Sequence, residues 1–439
     1  MIFNLMAGWM PNFITSYLGS TATPGEAGSQ FWALIYVLII FTGVSVAVMA
    51  MNWLERKALA HFQIRLGPMR VGPHGLLQPI ADAIKLMLKE DIIPAEADQF
   101  VFWVAPLIGL LTAFAVYTVI PFGPSQAVSD MNIGILFMLG VSSLGVLGIV
   151  VAGWASNSHY PLIGALRSSA QMVSYEVAMG LVVVSAILMT SLNENGTGTL
   201  SMIGIVRAQE QQGIWFIFKF FPLGLIAFII FAIAMIAETN RAPFDMAEAE
   251  SELTAGYHTE YSGLRWSLFM LAEYAAMISV SSIAVTLWLG GWMRPFLRLL
   301  HGPSWDFIFS LFPGLTFLGL AAIAFIGVVR MPAHSFFKIQ KIGLAAFSGL
   351  LGFIALLLLV IAVTGRSAGT SLGARLNESI GYIYWFLFKV AVFMYLFIWY
   401  RATWPRYRFD QLMRVGWKVL LPISLAVLML TAIVGVLVS

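Results

Sequence analysis

The chain has 439 residues, of which 60% are hydrophobic and only 10% charged, and its formal net charge is +3. That balance excludes an ordinary soluble globular domain, and so small a positive charge gives no sign of a nucleic-acid partner. The lack of cysteine excludes thiolate-held iron–sulfur clusters, c-type haem attachment and disulfides within the chain.

Residues 1–30 contain no Lys or Arg and so lack the charged start of a signal peptide; they read as an external surface tail. Ten apolar runs follow, each long enough to cross a bilayer core as a helix. They are Phe31–Met51, Phe100–Ile120, Ile133–Ala152, Met172–Thr190, Phe216–Ala237, Trp266–Leu289, Phe307–Val329, Ile342–Val363, Ile380–Tyr400 and Val419–Val438. The expected fold is therefore an all-α polytopic membrane protein, a single membrane domain without a β domain. The alternate loops at 52–99, 153–171, 239–265, 330–341 and 401–418 hold 17 of the 24 Lys and Arg. The positive-inside rule makes those loops cytoplasmic and puts both termini outside.

In the first loop, Gly67-Pro68 and Gly72-Pro73 signal turns. Leu76 to Lys89 then reads as an amphipathic helix with Leu77, Ile80, Ala81, Ile84 and Leu88 on one face and Asp82 able to pair with Lys85. It fits an interfacial surface helix or one wall of a cavity for a lipid-like molecule. The last basic loop, Arg401 to Lys418, mixes arginines with aromatics, as either a membrane anchor or a dock for an acidic partner would.

Ionisable residues inside or at the ends of spans cost insertion energy and usually face protein or water. Glu176, Glu238, Glu273 and Lys389 are of this kind. Glu238 also opens the most acidic stretch of the chain, which continues through Asp245, Glu248, Glu250, Glu252 and Glu260. These six carboxylates come from a total of only 21 acidic residues. As a helix the stretch sets Glu248 and Glu252 on one face; as a strand it aligns Glu248, Glu250 and Glu252. Either way the carboxylates share protons, the chemistry of a proton or cation path. Arg241 is the stretch's only Lys or Arg, placed to pair with one of those acids or to meet a substrate. The six histidines have no metal-ligand spacing, and there is no Walker A or dinucleotide glycine motif.

Five segments carry a specific resemblance: LERK at 54–57, RLGPMRVGPHGLLQPIADAIKLMLKEDIIP at 65–94, RSSAQMVSYEVAMGL at 167–181, ETNRAPFDMAEAESELTAGYHTEYSG at 238–263 and FIWYRATWPRYRFDQLM at 397–413. Together they resemble the quinone-site membrane subunit of respiratory complex I, NADH:quinone oxidoreductase, a family with bacterial and mitochondrial members. The resemblance implies an enzyme subunit in a bacterial inner membrane, with ubiquinone or menaquinone as substrate. It implies that this chain holds no metal or flavin. NADH, FMN and the iron–sulfur clusters then belong to partner subunits, among them the peripheral-arm subunits of the quinone site. Small membrane-arm subunits would lead onward to antiporter-like pumps.

The resemblance places Glu176, Glu238, Asp245, Glu248, Glu250, Glu252, Glu260, Glu273 and Lys389 on the proton or coupling path. It places Glu55, Arg56, Arg65, Asp82, Arg241 and Arg401 at the wall or entrance of a quinone tunnel, and the loops 52–99, 153–171, 239–265 and 401–418 around that chamber. The family pattern has eight spans. The two additional ones fall within residues 300–370 and are expected to form a peripheral helix pair facing lipid or an accessory subunit. A related membrane subunit of an energy-converting hydrogenase or ferredoxin-linked complex, a stand-alone carrier and a plain membrane anchor are the other readings. The match through the first loop disfavours the first of these, the lack of inverted repeats disfavours the second, and the intramembrane glutamates disfavour the third.

Overall fold

The computed structural model describes residues 27–124, 126–191, 198–246, 255–295, 302–330, 338–367 and 372–438. Apolar runs without competing backbone partners form helices, since a helix satisfies its own N–H and C=O groups in lipid. In chain order the helices are α1 (Ala27–Phe62), α2 (Gln78–Leu88), α3 (Gln99–Ala115), α4 (Gly134–Ala155), α5 (His159–Thr190), α6 (Met202–Gln212) and α7 (Leu223–Glu238). Then come α8 (Gly263–Trp288), α9 (Pro303–Arg330), α10 (Lys338–Ser367), α11 (Leu372–Thr403), α12 (Phe409–Val415) and α13 (Leu421–Val438). One π-helical turn, Gly416–Leu420, makes α12 and α13 a single span. There is no strand among the described residues.

Nine spans among the described residues are long and apolar enough to cross a bilayer. The tenth expected span is α7, and it is short at 16 residues because Pro222 stands directly before its first turn. Several helices are longer than their apolar runs, and two of these extensions reach the site. α1 continues from Met51 to Phe62, and α5 begins at His159 rather than Met172. Both extensions are polar, and both carry their charged or amide side chains to partners described below.

α8 is the most enclosed span, and it packs against α3, α5, α7 and α11. Its small residues Ala272, Ala275, Ser279, Ser281, Ser282 and Ala284 are buried and let neighbouring backbones approach. The Tyr117 hydroxyl donates to the Ala275 carbonyl at 2.7 Å, tying α8 to the end of α3. The α3–α4 crossing is equally close, since a Cβ on Gly148 would lie 3.1 Å from the Gly109 nitrogen. The apolar residues of α2 are largely uncovered by the rest of the chain; Leu77, Ile80, Ile84 and Leu88 are all exposed.

The pair α9 and α10 packs tightly on itself and against α11, and its outward face carries exposed Leu318, Ile323, Phe353 and Leu356. It also touches the first loop: Gln340 donates to the Met69 carbonyl at 3.0 Å, and Gly343 admits the Pro73 ring. A Cβ at position 343 would come within 2.6 Å of Pro73 Cγ, whereas Gly349 on the same helix has nothing within 4 Å. G343L is therefore expected to lower the thermal unfolding midpoint of the detergent-purified protein by several degrees, as overpacking of about 1–3 kcal/mol does. G349L is expected to leave it unchanged.

Candidate functional site

The extension of α1 carries Glu55, which is buried and is met by two arginines and a tyrosine. Arg401, from the end of α11, pairs with it directly, and Arg241 Nη1 lies 3.4 Å away. The Tyr274 hydroxyl donates to its second oxygen at 2.7 Å. Arg241 follows α7 in the chain, lies 4.3 Å from the Tyr274 ring centroid and pairs through Nε with Glu273 of α8. One guanidinium thus bridges two buried carboxylates, a use for which its fork of donors suits it. Glu55, Glu273, Arg241 and Arg401 are formally neutral as a quartet, which is how the buried charges of Glu55 and Arg241 are tolerated while Glu273 and Arg401 are partly exposed.

The start of the acidic stretch is fixed from two sides. Gln171 on the extended part of α5 donates at 2.7 Å to the carbonyls of both Ala237 and Phe244. Phe244 packs between Tyr175 and Tyr407, and the Tyr407 backbone N–H donates to the Pro243 carbonyl at 3.2 Å. Asp245 pairs with Arg406 at 3.0 Å. The basic loop after α11 therefore covers the entry to the acidic stretch. Glu248, Glu250 and Glu252 lie outside the described residues.

Behind the quartet is a cavity of about 110 Å³ between α3, α4, the end of α7 and α8. Glu273 and Glu238 both line it, with Thr112, Ser142, Asn240 and His258 between them. A second void of about 20 Å³ continues from Glu238 and Ser142 towards Met179 of α5. Next along α4, the Ser143 hydroxyl bonds to Glu176, which is within Coulomb reach of Glu238. The Oε2 atom of Glu238 has no hydrogen-bond partner among the described residues.

Some expected site residues stand elsewhere. Asp82 gathers Arg56 at 2.6 Å, Gln78 at 3.1 Å and Lys85 at 3.7 Å beside the end of α1, apart from the quartet. Arg65 is exposed and donates to Gln63 at 2.7 Å. Glu260 is half-buried and does not line the cavity. Lys389 is buried where α8 ends: its ammonium donates to the carbonyls of Leu289, Gly291 and Met293 at 2.7, 2.9 and 2.6 Å, and it sits 4.8 Å from the Trp215 ring centroid.

The sequence reading passed over Tyr274, His258, Gln171 and Ser143. Tyr274 is next to Glu273, but adjacent helical residues do not share a face, so its link to Glu55 has no local signal. His258 sits within the acidic segment and was outweighed there by the carboxylates. Among the described residues, no group of three or more His, Asp or Glu side chains is arranged to hold a metal ion.

Residues 35–432 match the protein family described as NADH dehydrogenase. The chain is 66% identical over 427 residues to the H-type membrane chain, numbered 1, of the NADH-quinone oxidoreductase of Koribacter versatilis (strain Ellin345), covering 97% of each chain. It is 46% identical over 410 residues to the H-type chain, numbered 2, of the NADH-quinone oxidoreductase of Solibacter usitatus (strain Ellin6076), covering 93% of this chain and 97% of the relative.

Proposed function

The chain belongs to the NADH dehydrogenase family as a membrane subunit of NADH-quinone oxidoreductase, respiratory complex I, and from that premise we propose that it walls much of the quinone tunnel and carries the acidic path that couples quinone reduction to proton translocation. The observation behind this reading is the unbroken polar series Arg401–Glu55–Arg241–Glu273, then the cavity, then Glu238 and Glu176. It runs from the end of α11 into the centre of the helix bundle.

Quinone reduction takes up two electrons and two protons, so it changes the charge beside its site. Partner subunits holding NADH, FMN and iron–sulfur clusters supply the electrons. A charge change near Arg401 and Glu55 alters how firmly Arg241 holds Glu273. Glu273 then gains or loses affinity for a proton, and the change passes across the cavity to Glu238 and Glu176. A shared arginine is a switch of this kind, because a stronger hold on one carboxylate weakens its hold on the other. The stretch with Asp245, Glu248, Glu250, Glu252 and Glu260 serves as the proton-exchanging surface of this path.

Loops 52–99, 153–171, 239–265 and 401–418 face the cytoplasm of a bacterium in this reading, where they meet the peripheral-arm subunits. The exposed apolar side of α2 borders the quinone chamber beside Asp82 and Arg56. The chain then lies in the inner membrane with both termini outside, and α9 and α10 lie at its periphery towards lipid or an accessory subunit.

Glu238→Gln and Glu273→Gln in the intact complex, reconstituted into vesicles, test the path. Each is expected to lower coupled turnover by about 10²-fold or more, the scale of losing a proton-transferring group. Glu248→Gln and Glu252→Gln are expected to lower the protons moved per quinone reduced. Parental ratios in all four variants would remove the acidic path from the mechanism.

A further inference from the structure

The cavity between Glu273 and Glu238 contains one nitrogen that nothing described so far uses. His258 is 4% exposed, lines this cavity, and its Nδ1 has no hydrogen-bond partner among the described residues. Its ring is held by Tyr257 at 3.8 Å and Phe269 at 5.5 Å between centroids. The turn that carries it is pressed onto α5 at Gly164, where a Cβ would lie 2.8 Å from Gly256 Cα. The imidazole therefore cannot turn out to solvent to satisfy Nδ1. Burial pushes its pKa down to about 3, so at neutral pH it is uncharged and presents a lone pair rather than a second cation to the carboxylates.

Two carboxylates that line one cavity exchange a proton through whatever conducting medium fills it. The volume of about 110 Å³ has room for several waters, each of which needs about 10–15 Å³ of such space. The hydroxyls and amide of Thr112, Ser142, Ser279 and Asn240 supply the two to four polar partners that a buried water requires. A chain of waters in such a space needs a fixed acceptor to set its direction.

We propose that Nδ1 of His258 accepts a hydrogen bond from the water chain joining Glu273 to Glu238, making His258 a positioning residue for proton transfer between them. The inference rests on the proton-path reading above. A proton released into the chain at Glu273 is matched by one delivered to Glu238. The imidazole keeps its own proton throughout, so the count of protons on the chain is unchanged after each transfer.

The test uses the intact complex in vesicles and compares H258N with H258L. These side chains are close in size and differ in whether they offer an acceptor. H258F is added because it keeps an aromatic ring against Tyr257 and Phe269, and Glu238→Gln and Glu273→Gln serve as references. H258N is expected to retain most of the coupled turnover, while H258L and H258F lose about tenfold or more, with unchanged assembly and an unchanged KM for quinone. Equal turnover in H258N and H258L would show that His258 only packs, and would overturn the proposal even if H258F failed to assemble. A loss confined to Glu238→Gln and Glu273→Gln overturns the role of His258 and leaves the path standing. Parental behaviour in those two references overturns the path itself.

Discussion

Arg241→Met is expected to abolish coupled quinone reduction and to lower the amount of assembled complex. Arg241 holds Glu55 on one side and Glu273 on the other, and its own side chain is only 7% exposed. Removing it leaves Glu55 with Arg401 and Tyr274, whereas Glu273 loses the guanidinium it pairs with and keeps its charge. Breaking a buried ion pair by deleting one partner costs about 3–5 kcal/mol, a large part of the stability of most folds. The double variant R241M/E273Q removes the stranded charge as well. It is expected to regain assembly while staying uncoupled, which separates folding from mechanism. R241K should fall between the parent and R241M, since a point charge does not bridge two carboxylates as a guanidinium does. Native gel analysis of membranes together with quinone reductase and proton-uptake assays decides the outcome. An R241M complex that assembles and pumps like the parent would contradict the bridging role.

Lys389→Met is expected to lower assembly and thermal stability first, and to reduce quinone reduction and pumping in parallel. The segment after α8 turns back with Gly290 and Gly291 at φ of 72° and 50°, which aims the carbonyls of Leu289, Gly291 and Met293 at one ammonium group. Methionine fills similar volume but donates nothing. Each buried acceptor left without a donor costs about 1–3 kcal/mol. The family resemblance puts this lysine on the proton path, and that role predicts a different result: normal assembly and quinone reduction with fewer protons moved. The ratio of protons to quinone reduced, measured on whatever complex assembles, separates the two. An unchanged ratio with lowered yield supports the anchoring role, while a lowered ratio at parental yield supports the path.

The apolar spans and the buried glutamates were legible in the sequence because each has a local signature. Hydropathy marks a span wherever it lies, and a glutamate between apolar residues stands out without any knowledge of its neighbours. The partners were not legible. Glu55 and Arg241 are 186 residues apart and meet only because the segment after α7 lies where α1 packs against α8. Arg241 was expected to find an acid within its own stretch or a substrate; Glu55 on α1 and Glu273 on α8 are partners that its sequence neighbourhood does not announce. The helix ends were misplaced for a related reason. Hydropathy marks the apolar part of α1 and α5, whereas each helix continues for as long as its polar residues find partners, as Glu55 and Gln171 do. The contact between α10 and the first loop had no sequence signal, because it depends on the shape of Gly343 against Pro73.

The shortness of α7 bears on energetics as well as on topology. Sixteen residues of helix extend about 24 Å at 1.5 Å per residue, against about 30 Å of hydrocarbon in a typical bilayer. Glu238 is the last residue of that helix, and the missing length is at the other end, before Leu223. On the proton-path reading, a proton leaving Glu238 for the far side crosses that thinner layer and the voltage across it. Voltage is worth about 2.3 kcal/mol per charge per 100 mV across the full thickness, and part of that acts on the occupancy of Glu238. On that reading the membrane potential presses back on the same carboxylate that the chemistry loads, and the load on the pump is felt at its proton-binding step.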